Sequence, residues 1–104
     1  MASIEAKNIN HPDHRENLNE TKYRIIRDAM HAVLPATGGM SFKAMEDAVK
    51  QYLATDERTE ALFPKPGSIR WYCKAVQLDL EARGEIERIA KVSPMQLRRV
   101  LAHD

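Results

Sequence analysis

The sequence predicts an α+β domain that is mainly α-helical. Two features carry this reading: apolar residues recur every three or four positions through three segments between Tyr23 and Ala82, and after Gly84 the pattern changes to β-branched and charged residues in turn. The chain has 104 residues, 43% of them apolar and 30% charged, which suits a single core. Its 16 Lys and Arg nearly cancel its 15 Asp and Glu, leaving a formal +1, so overall charge singles out neither a nucleic-acid nor a membrane partner. The lone Cys73 excludes an internal disulfide framework. No run approaches the roughly 18 apolar residues of a membrane-spanning helix, and a cytoplasmic protein is expected.

Residues 1–19 carry only Ile4, Ile9 and Leu18 as larger aliphatics and lack the basic and apolar regions of a secretory leader. They read as a mobile arm ahead of a folded domain over 20–102. The first helix begins near Thr21, with Asn19 or Thr21 as its cap, and places Tyr23, Ile26, Met30, Val33 and Leu34 on one face. Pro35 and the Gly38-Gly39 pair close it. Residues 40–42 are too short for an independent strand but able to join a sheet, and Ser41 is placed to cap a second helix running through Leu53. Its apolar positions are Phe42, Met45, Val49, Tyr52 and Leu53, which makes it amphipathic.

Pro64 and Pro66 prevent a continuous helix through 54–67, where a short helical turn near 57–62 and docking of Leu62 and Phe63 on the core are expected. The third helix, 69–82, starts after Ser68 as cap and has two apolar faces: Ile69, Tyr72, Cys73, Val76 and Leu80 on one, Trp71, Ala75, Leu78 and Ala82 on the other. Between them lie a polar strip of Arg70, Lys74, Gln77 and Glu81 and a narrower one holding the i,i+4 pair Asp79 and Arg83. Gly84 ends the helix. A two-stranded hairpin follows, 85–90 and 95–101, around a turn at 91–94; Met95, Leu97 and Leu101 share one side of its second strand.

Helix, short strand, helix, helix, glycine and hairpin is the order of a winged helix-turn-helix domain. The stretch LDLEARGEIERI, with Leu80, Gly84 and Ile86, resembles the passage from recognition helix to wing in such proteins, and with SPMQLRRV the chain is similar to a family of small bacterial winged-helix proteins without assigned function. The resemblance covers about 21–101 and implies three helices plus a C-terminal hairpin wing. The 54–67 connection is longer than the turn of a compact helix-turn-helix.

Residues 1–60 hold 8 basic and 10 acidic residues, and 61–104 hold 8 basic and 5 acidic, so the second half is the positive one. A winged helix would direct Arg70, Lys74 and Gln77 into the major groove of double-stranded DNA and set Arg88, Lys91, Arg98 and Arg99 on phosphates, the behaviour of a transcriptional regulator. A plain solvated face competes with this, since Glu81, Glu85 and Glu87 lie among these residues. The alternative is a protein-interaction or dimerisation module that presents Trp71 and Leu78 without binding nucleic acid; packing of Trp71 inside the domain is the ordinary outcome for such a residue.

Catalysis is not expected. The glycines at 38, 39, 67 and 84 form no phosphate loop, and no nucleophile–base set is evident. No cofactor, metal or small-molecule ligand is indicated: His11 and His14 are two ligands without a third, His31 reads as a surface or partly packed residue, and His103 falls in the terminal tail. Cys73 reads as a core residue.

Overall fold

A computed structural model describes residues 2–100, and the second hairpin strand's Leu101 and the tail's His103 lie outside them. The described residues form an α+β fold with four helices and two small antiparallel sheets. Helix α1 covers Glu20–Val33 and α2 Phe42–Leu53; the single turn α3 covers Thr59–Leu62, and α4 covers Ser68–Ala82. Strands β1 (Ser3–Ala6) and β2 (Glu16–Asn19) form one sheet, while β3 (Met40–Ser41), β4 (Ile86–Arg88) and β5 (Gln96–Arg99) form the other in the order β3-β5-β4.

Local chemistry accounts for the helix limits. The Asn19 side chain accepts from the Lys22 N–H at 3.0 Å and starts α1, and Ser41 Oγ accepts from the Ala44 N–H at 3.1 Å to start α2. Leu34, in extended conformation ahead of Pro35, stops α1. The cap of α4 differs from expectation: Gly67, at φ +81°, occupies it without a side-chain bond, and Ser68 is already helical. At the other end Gly84, at φ +77°, donates to Glu81 O at 3.1 Å, and Glu85 donates to Leu80 O at 2.9 Å. This pairing of bonds is the Schellman closure, which needs a left-handed residue and so favours glycine.

The core gathers Ile26, Ala29 and Met30 from α1, Met45 and Val49 from α2, Cys73, Val76 and Leu80 from α4, and Ile86 and Leu97 from the sheet. Met40 sits opposite Leu97, and Arg88 sits opposite Leu97 on the other side, so β5 is the central strand and Leu97 points inward.

Two expectations are corrected. The C-terminal hairpin is not a separate pair of strands on three helices: β3 joins its sheet, as the 40–42 segment allowed, and the turn expected near 57–62 forms a fourth, one-turn helix. Nor is 1–19 a mobile arm: β1 and β2 pair with Ile4 opposite Leu18, and Ala6 and Leu18 are buried. The hairpin is held because it lies against α1 and α4, which supply the apolar area that its own sequence lacks.

Asp79 makes that attachment. It is fully buried, accepting from the Lys7 N–H at 2.7 Å, from Arg83 Nε at 2.9 Å and from the Tyr23 hydroxyl in a short bond. The Asp79–Arg83 pair expected on a polar strip exists, but its carboxylate is interior. Burial first, and the Asp79 hydrogen bond second, push the Tyr23 phenol well above its ordinary value near 10.

Asp79→Ala should lower unfolding free energy by about 2–4 kcal/mol in a denaturant titration, since three donors lose their acceptor. Because folding raises the Tyr23 pKa, the stability linked to it is complete below pH about 10 and is lost as pH rises through the higher folded value. Tyr23→Phe should therefore remove that part of the alkaline loss; an unchanged profile would contradict the assignment.

Candidate interaction site

The exposed side of α4 meets the N-terminal hairpin at a cleft of about 180 Å³. Trp71, Ala75 and Leu78 from α4 and Ala6 from β1 give it apolar walls, and Lys7, Lys74, His14 and Glu16 contribute polar and charged groups. The i, i+4 and i+7 spacing of Trp71, Ala75 and Leu78 sets them on one stripe of the helix, and the hairpin crosses this stripe without covering its first turn. Trp71 is consequently 50% exposed. Its ring packs edge-on to Tyr72, with centroids 5.2 Å apart, and Tyr72 packs likewise on Phe63 at 5.5 Å. That row fixes Trp71 from one side and leaves its other side open.

Sequence reasoning places Trp71 and Leu78 together correctly on the second face of α4, but the domain covers that face only in part. Arg70 is outward, its side chain 71% exposed and its Nε 3.6 Å from Glu46 Oε1. Lys74 is also outward, with Nζ 5.3 Å from the centre of the Phe42 ring. Gln77 does not join them. It is fully buried and donates through Nε2 to Glu81 Oε2 at 2.9 Å, so it is removed from the exposed strip.

The hairpin residues are equally engaged. Arg88 makes a forked contact with Glu81, and Arg98 Nε donates to Glu87 at 2.8 Å. Arg99 Nε donates to Leu34 O at 2.7 Å, tying β5 to the end of α1. Lys91 is exposed in the turn between β4 and β5, at φ +62°. Of the seven positions expected on DNA, Arg70, Lys74 and Lys91 thus face outward without a direct hydrogen bond to a carboxylate among the described residues, and they do not make one continuous strip with the other four.

Lys7, His14 and Glu16 are the contributors that sequence reasoning missed. His14 Nε2 lies 3.2 Å from Glu16 Oε2, and no group of three or more His, Cys, Asp or Glu side chains able to hold a metal occurs among the described residues. Cys73 lies inside the core, where burial foremost, then the charge of Glu46, push its thiol up to about 12. It is therefore protonated and shielded at neutral pH. His31 sits between helix and sheet, with Nε2 2.7 Å from Glu85 Oε1, and Glu85 also receives Arg27 at 2.8 Å.

Residues 3–97 match DUF6958, a family of unknown function, and the chain belongs to that family. Neither a curated protein nor a solved structure matches it.

The cleft differs energetically from the core behind it. Trp71→Ala should cost about 1 kcal/mol, the scale of its aromatic contact, whereas Leu80→Ala should cost about 2–5 kcal/mol by leaving a cavity. Equal losses in parallel thermal or denaturant melts would contradict a Trp71 that is free on one side.

Proposed function

We propose that the protein is a non-catalytic interaction module in a winged-helix arrangement, receiving a protein partner on the Trp71 face of α4. The order α1-β3-α2-α4-β4-β5, the sheet order β3-β5-β4 and the glycine closure between α4 and β4 support the arrangement. Half-exposure of Trp71 beside an open apolar cleft carries the functional reading. Aromatic side chains of this kind anchor protein interfaces, because they bury a large area while losing few rotamers.

A duplex-DNA module would use the cationic edge instead. The engagement of Arg88, Arg98 and Arg99 within the domain and the burial of Gln77 favour a protein partner over that reading. A phosphate contact at these arginines would have to replace bonds already formed, whereas an apolar side chain entering the cleft displaces only solvent.

Trp71 is the only tryptophan, so its fluorescence reports directly on the face in question. Tagged wild-type protein should retain a partner from extract of its own cells that Trp71→Ser fails to retain at equal folded concentration, while duplex DNA at low salt leaves the emission unchanged. Retention indifferent to Trp71, or a DNA-induced change that disappears as salt rises, would overturn the reading.

A further inference from the structure

Resting on the interaction-module reading, we infer that the partner is an acidic protein segment that inserts one large apolar side chain into the cleft between α4 and the N-terminal hairpin. The volume sets the anchor. A cavity of about 150 Å³ accommodates a benzene molecule, so the 180 Å³ here suits one leucine- or phenylalanine-sized group and not a whole helix face. The apolar walls provided by Trp71, Ala75 and Leu78 reward that group for leaving water.

The charge at the cleft sets the flanks. Neither Lys7 nor Lys74 has a carboxylate within ion-pair distance among the described residues, and the Glu16 carboxylate at the cleft lies 3.2 Å from His14 Nε2. The Lys7 backbone is pinned by Asp79, so one cation is carried from a fixed point, while Lys74 is held only by its approach to the Phe42 ring. Arg70, one turn nearer the start of α4, is exposed but already lies 3.6 Å from Glu46, which leaves Lys7 and Lys74 as the cations of this cleft. Carboxylates on either side of the inserted residue would meet these cations at the solvent boundary, where ion pairs direct orientation and association more than they add affinity.

A second copy of the chain fits less well. A two-fold contact through this face would bring both copies' Lys7 and Lys74 into one interface, with a single cleft glutamate, Glu16, from each copy to answer them. A nucleic acid would find no base-sized basic slot in the apolar walls.

Titration of the full-length protein with three synthetic peptides of equal length tests the inference through Trp71 emission. The first has a single leucine flanked by glutamates, the second has the same leucine flanked by lysines, and the third keeps the glutamates but replaces leucine by glycine. Only the first should shift the emission to shorter wavelength, with an affinity that declines as salt rises. Lys7→Glu combined with Lys74→Glu should weaken it about tenfold, the scale open to two exposed ion pairs, without altering the thermal melt.

Equal binding of the glutamate and lysine peptides, or equal binding with and without leucine, would overturn the inference. So would concentration-dependent dimerisation in light scattering that blue-shifts Trp71, or a duplex-DNA response at the same lysines. If no peptide binds while a cellular protein is still retained through Trp71, the acidic-anchor inference fails and the interaction-module reading stands; if Trp71→Ser retains every partner, that broader reading fails as well.

Discussion

A single carboxylate buried within α4 holds three distant parts of the chain in register. Asp79 accepts from the backbone after β1, from the α1 phenol of Tyr23 and from Arg83 one turn further along its own helix. A charge taken from water is costly unless its lone pairs are occupied, and here several donors converge on it. The same arrangement fixes the hairpin against the helix. Without it, Ala6 and Leu18 would offer little apolar area to keep β1 and β2 in place, and the wall of the cleft opposite Trp71 would be lost.

The basic residues illustrate how little a charge count says about binding. Arg88, Arg98 and Arg99 lie on the C-terminal sheet, but each answers a group within the domain: Glu81, Glu87 and the end of α1. Their positive charge is already matched or committed to the fold. Lys7 and Lys74 differ because no carboxylate among the described residues comes within ion-pair distance of them, and they lie beside the most exposed apolar stretch of α4. Local pairing, and not the net +1, distinguishes the cations free to meet a partner.

Much of this architecture was legible in the residues. Three-and-four spacing located α1, α2 and α4, the side chains of Asn19 and Ser41 supplied the caps of the first two, and Gly84 marked the change from helix to sheet. The failures share one cause. Periodicity assigns a polar residue to solvent, whereas Gln77 and Asp79 lie in the interior: the Gln77 amide nitrogen donates four residues along the helix while its oxygen goes unpartnered among the described residues, and Asp79 is bonded four residues along and by others tens of residues away. The N-terminal hairpin was illegible for a related reason: its buried side consists of few apolar groups, and its stability comes from surfaces that only the folded chain provides. Of the cleft, Trp71, Lys74 and Leu78 could be found on one helix, but Lys7, His14 and Glu16 required knowledge of how the two ends of the chain meet.

The bond from the Lys7 amide to Asp79 is therefore the most direct point of test, and amide hydrogen exchange resolved residue by residue measures it. The Lys7 amide should be protected to nearly the same degree as the middle of α4 and should lose that protection in Asp79→Ala while Val76 keeps its own. Exchange of Lys7 in the unaltered protein at the rate of an unstructured peptide would contradict a hairpin fastened to α4 and, with it, the cleft.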